Sequence, residues 1–76
     1  MPLPSTHRRA LELLAAAPAG CTEALLQAHG ISAEVIAVLR RSGWATANTR
    51  PMQVGRRTIS VTTLWITPAG RVALER

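Results

Sequence analysis

Apolar residues gather in three helical stretches, then in one alternating stretch, and then in a short closing helix. Ala10, Leu11, Leu14 and Ala17 recur at the spacing that builds one helix face; Ser5 or Thr6 is placed to cap it and Pro18-Ala19-Gly20 to end it. Thr22 caps a second helix, Glu23 suits its positive end, and Leu25 and Leu26 face inward before His29-Gly30 stops it. Gly30 supplies the left-handed backbone of a tight turn, Ile31 plugs that turn, and Ser32 caps a third helix running through Val35, Ile36 and Leu39 to Ser42-Gly43.

The pattern then changes period. Trp44 to Arg50 reads as a strand, Pro51 to Arg56 as a loop, and Arg57 to Ile66 as a second strand, with Pro51 expected outside the pairing because proline cannot donate to a ladder. Thr67-Pro68 opens a last short helix, since threonine caps and proline is favoured at the first helical position. The expected fold is one mainly α domain with a small β wing, an α+β arrangement of three helices, a two-stranded antiparallel hairpin and a short C-terminal helix. Its core is expected to be Leu11, Leu14, Leu26, Ile31, Val35, Leu39, Trp44 and Ile66.

Along the second strand, Ile59, Val61, Thr63 and Trp65 share one face, and Ser60, Thr62, Leu64 and Ile66 share the other. A two-stranded hairpin cannot cover both faces. Ile59, Val61 and Trp65 are therefore candidates for an interface with a second copy or another protein, and the competing reading has Trp65 fold over the first helix to close the core.

Composition adds a partner class. All nine basic residues are Arg, Glu is the only acid, and the net charge is +5. The guanidinium fork matches phosphate, so the balance points toward a polyanion. Cys21 is alone, which excludes an internal disulfide and a zinc site and favours a small buried hydrophobe. No cofactor is expected. His7-Arg8-Arg9 followed by an Ala-rich run imitates an export signal, but Glu12 interrupts the run and cleavage near Ala19 would remove a helix. The expectation is a cytoplasmic protein with no membrane span. With no carboxylate pair, Ser-His pattern or phosphate-binding glycine loop, it is not expected to be an enzyme.

Leu39-Arg40-Arg41-Ser42-Gly43-Trp44 and Ile66-Thr67-Pro68-Ala69-Gly70-Arg71, in this order of elements, resemble the winged helix-turn-helix family and are most similar to MarR-type bacterial regulators. The likeness is to a minimal form, without the flanking helices through which that family dimerises, and with Gly55-Arg56-Arg57 where it carries an acidic-x-Arg wing motif. By position the resemblance implies DNA contacts from Ser32, Ala33, Glu34, Ala37, Arg40 and Arg41 on the third helix and from Gln53, Arg56 and Arg57 on the wing. The chemistry is uneven: Ala33, Ala37 and Val38 have no groups for reading base edges, while the arginines suit phosphate. The expected function is that of a small DNA-binding regulator of transcription, or an accessory to one, holding double-stranded DNA mainly through Arg–phosphate contacts. The alternative is a winged helix module that binds protein and not DNA.

Overall fold

A computed structural model describes residues 3–75 of the chain. The element order is α1 (Ser5–Ala15), β1 (Cys21–Thr22), α2 (Glu23–Ala28), α3 (Ala33–Arg41), β2 (Ala45–Val54), β3 (Arg57–Ile66) and α4 (Pro68–Glu75). The described residues form an α+β domain with four helices and one antiparallel sheet.

Local chemistry accounts for most boundaries. Thr22 and Ser32 cap α2 and α3, accepting from the backbone N–H of Leu25 at 3.2 Å and of Val35 at 3.3 Å. Gly30 has φ +87°, so the chain turns between these helices where a side chain would be strained, and Ile31 is driven into the core at 1% exposure. Two expectations need correction. Ser5 and Thr6 lie inside α1, whose N-cap is Pro4 with no side-chain cap bond; the backbone N–H of Arg8 bonds the Pro4 carbonyl instead. Leu25 is 50% exposed, because a helix as short as α2 turns one leucine, Leu26, fully inward and carries its neighbour about 100° round the axis.

The sheet has three strands, not two, in the order β1-β3-β2. Cys21 pairs with Leu64 and Thr22 with Thr63, so the segment between α1 and α2 forms the extra strand at the root of the hairpin. β2 and β3 pair along their full ten-residue lengths, from Ala45↔Ile66 to Val54↔Arg57. The expected loop from Pro51 to Arg56 is therefore only Gly55-Arg56. Gly55 has φ +61° and Arg56 a negative φ, the signs of a type II′ turn, which matches strand twist. Pro51 sits inside the ladder opposite Ser60. Counting from the hydrogen-bonded closing pair Val54↔Arg57, Pro51↔Ser60 is a non-hydrogen-bonded pair, so the missing N–H belongs to the solvent side of edge strand β2 and no ladder bond is lost.

The core lies where α1 packs against α3, α4 and β3. Leu11, Leu14, Leu26, Ile31 and Leu39 are fully buried as expected, and Ile36 and Leu64 join them with the smaller Ala10, Cys21 and Ala45. Val35, Trp44 and Ile66, expected at the centre, are only partly buried and flank it. On α3 the phase that buries Leu39 also turns Ile36 inward, three residues earlier, and leaves Val35 at the margin. On β3 the inward face centres on Leu64, the residue paired on both sides, with Ile66 near the strand end.

The start of α4 ties it to the hairpin root. The Thr67 hydroxyl donates to the Gly43 carbonyl at 2.6 Å and accepts from the Gly70 N–H at 3.0 Å, while the Thr67 N–H bonds the Trp44 carbonyl. A Cβ at Gly70 would collide with the Trp44 carbonyl oxygen, so only glycine lets the helix approach so closely. Thr67→Val keeps the side-chain shape and removes both hydroxyl bonds. It is expected to lower stability by about 1–2 kcal/mol, read as a shifted urea midpoint at unchanged slope.

Candidate nucleic-acid interface

Beyond its root the hairpin leaves the body of the domain. Every residue from Asn48 through Ser60 is exposed, and the molecule is 48 Å in its longest dimension against 22 and 21 Å in the others. Register assigns the faces of this arm. Thr49, Pro51 and Gln53 share one face with Thr58, Ser60 and Thr62; Arg50, Met52 and Val54 share the other with Arg57, Ile59 and Val61. The first face is a polar ladder in which the Thr49 and Thr62 hydroxyls bond at 2.9 Å and the Thr58 hydroxyl donates to Gln53 Oε1 at 3.3 Å. The second is apolar and basic: Met52, Val54 and Ile59 are 50%, 51% and 43% exposed between Arg50 and Arg57.

The residues singled out in the sequence divide by what already engages them. Ser32 Oγ is committed to capping α3. Gln53 uses both ends of its amide on the hairpin, since Nε2 also donates to the Gly55 carbonyl at 3.2 Å, so it braces the turn. Arg40 and Arg41 occupy the last turn of α3, where they complement the negative helix end, and with Ala37 they line an open depression of about 330 Å³. Arg56 sits in the turn, and Arg57 begins β3. None of Arg40, Arg41, Arg56 and Arg57 makes a side-chain hydrogen bond or ion pair among the described residues.

These arginines form two groups, not one patch. Arg40 and Arg41 lie at the root of the hairpin and Arg56 and Arg57 at its tip, separated by the nine residue steps of β2, roughly 30 Å at strand rise. Arg50 stands between them, likewise without a partner among the described residues and on the same face as Arg57. It was missed because the strand was expected to end there; reading Gly55-Arg56 as a two-residue turn would have fixed the register that reveals it. Arg8 is structural: its Nη1 donates to the Leu74 carbonyl at 2.8 Å and joins α1 to α4.

The solvent face of α3 presents Ala33, Glu34, Ala37, Arg40 and Arg41, while Ile36 and Leu39 face inward. Its front is short of hydrogen-bonding groups. The three residues expected at an interface also separate: Ile59 is on the arm, Val61 is half-buried near its root, and Trp65 lies in the body. There Thr63 and Trp65 pack over Gly20, where an added Cβ would come within 2.6 Å of Thr63 Cγ2 and 2.8 Å of the indole. Trp65 is thus covered by the loop after α1, on the sheet face opposite Leu64. Cys21 is buried, and desolvation pushes its thiol above the usual range, which disfavours the thiolate. Among the described residues no helix is long and apolar enough to cross a membrane.

Comparison of the chain with protein-family models, curated proteins and solved structures finds no match.

Proposed function

We propose that this chain is a winged helix-turn-helix module of the MarR-like kind, binding double-stranded DNA through Arg–phosphate contacts as a small regulator of transcription or an accessory to one. What supports the fold part is the order of elements: two capped helices joined through Gly30, then a hairpin arm. The observation that carries the function is a set of guanidinium groups without a partner among the described residues, with Arg40 and Arg41 at the end of α3 and Arg56 and Arg57 at the arm tip. Their separation of roughly 30 Å is close to one turn of duplex, about 34 Å, so the two groups can meet phosphates a turn apart. Little base readout is expected, because Ser32 and Gln53 are occupied and the α3 front is mostly alanine. On this reading the protein works in the cytoplasm.

The test is a duplex titration of the Arg40→Ala/Arg41→Ala double variant against the wild type, by fluorescence anisotropy over a salt series. Losing two phosphate contacts should weaken random and genomic duplexes alike and flatten the log–log salt slope by about 1.8 units. A double variant that binds as the wild type does would remove α3 from the interface. The protein-binding reading has its own support in the Met52, Val54 and Ile59 face, an exposed apolar surface on a projecting arm.

A further inference from the structure

The two outer edges of the sheet are not equivalent. On β2 the edge carries Pro51, which interrupts the row of donors that another strand would need. β3 is a central strand only at its root, where β1 covers Leu64 and Thr63. From Arg57 to Thr62 its second edge has no strand partner among the described residues. By the alternation of antiparallel bonding, Arg57, Ile59 and Val61 turn their backbone groups toward β2, so Thr58, Ser60 and Thr62 turn theirs to the open edge. No proline guards these residues. A groove of about 220 Å³ runs beside Ile59, Ser60, Val61 and Thr62, walled on its far side by Glu23, Ala24 and Gln27 of α2.

We propose that this edge receives the same edge of a second copy, so that two hairpin arms pair antiparallel about a twofold axis into one continuous sheet. Hydrogen bonding restricts the register, because an edge-facing residue must oppose another edge-facing residue, and Thr58, Ser60 and Thr62 are the only ones. A register of this parity also sets β2-facing residues opposite one another, so the apolar Ile59 face of one copy continues into that of the second. Placing Ser60 opposite Ser60 would carry Arg57 to the level of Thr63, where Thr22 already pairs. The register two residues away fits: Ile59 faces its own counterpart, Thr58 faces Ser60, and the arm ends with Arg56 level with Thr62.

Charge agrees with this end point. Thr62 and Glu23 line the same groove, and Glu23 is the only charged residue lining it among the described residues, so Arg56 of one copy arrives beside the carboxylate of the other, twice per dimer. The opposing cost is modest. Arg57 and Arg50 of the second copy stand on either side of Val61, two strand spacings or about 9.6 Å apart, close to the screening length at moderate salt. This pairing goes beyond the DNA-binding reading and does not depend on it; in the dimer Arg56 is committed to Glu23, so the phosphate contact assigned to Arg56 belongs to the monomer.

Sedimentation equilibrium of the intact chain in moderate salt tests the proposal. The expected result is a concentration-dependent rise toward twice the 8.1 kDa of one chain. Ser60→Pro removes an N–H that β2 does not use; losing that bond twice should weaken association roughly thirtyfold, with the folded circular-dichroism spectrum retained. Arg56→Glu and Glu23→Arg should each impair association, and the two together should restore it. A monomer mass at hundreds of micromolar would overturn the proposal, as would a Ser60→Pro protein that dimerises as the wild type does. Failure of the charge pair to rescue would overturn this register, and with it the assignment of Glu23 and Arg56. If Ser60→Pro unfolds the chain, Ile59→Arg, which sets like charges across the twofold axis, replaces it with the same expected loss.

Discussion

Truncating Leu64 to alanine is expected to remove roughly 3 kcal/mol of stability, within the usual range of about 2–5 for a buried leucine. Leu64 is fully buried on the central strand, paired with Cys21 on one side and Ala47 on the other. Its strand neighbours are small and held by the ladder, so they cannot collapse into the space a lost isobutyl group leaves, and the cavity cost should persist. For 76 residues the whole unfolding free energy is expected to be roughly 4–11 kcal/mol, so this one change consumes a large share. Thermal melts should show a fall of roughly 12–24 °C. The internal control is Ile59→Ala five residues earlier, at 43% exposure on the arm, which should cost the folded monomer about 1 kcal/mol or less. Equal losses at the two positions would mean that the sheet does not bury its Leu64 face against α1.

The sequence expresses those features whose cause is local. Thr22, Ser32 and Thr67 act as caps because a side-chain oxygen and a backbone N–H three residues on suffice to make one. Gly30 turns the chain because of its own backbone freedom, and alternation along β3 separates the Leu64 face from the Ile59 face without any partner. Features that depend on a distant partner were not legible. Two residues, Cys21-Thr22, have no pattern of their own and are a strand only because β3 lies beside them. Pro51 was read as a pairing boundary because the rule against proline in sheets supposes neighbours on both sides, whereas β2 has one. That error shortened the arm and hid Arg50. The core differed at Val35, Trp44 and Ile66 for a related reason. Periodicity gives the width of an apolar stripe, but the packing of α1 on α3 and β3 decides its centre, and it chose Ile36 and Leu64. At the candidate interface, charge was visible in the sequence, but the commitment of Gln53 to its own turn required the register.

The second large effect concerns binding and bears most directly on the proposed function. If Arg40, Arg41, Arg56 and Arg57 each neutralise one phosphate, log affinity should fall with log salt at a slope of about −3.6, taking about −0.9 per contact. Between 50 and 200 mM monovalent salt, such a slope corresponds to a loss of about 150-fold. The same arrangement predicts sequence indifference, because phosphate contacts position a protein without reading bases and the exposed front of α3 offers Ala33 and Ala37 where readers would stand. The decisive measurement is a fluorescence-anisotropy titration of the wild-type chain against random and genomic duplexes of equal length across that salt range. Arg–phosphate binding predicts a common steep slope and affinities that differ little between sequences. Absence of binding at the lowest salt would contradict it and transfer the function to the apolar face of the arm, whereas strong selection of one duplex would show that Ser32, Glu34 or Gln53 reads bases after all.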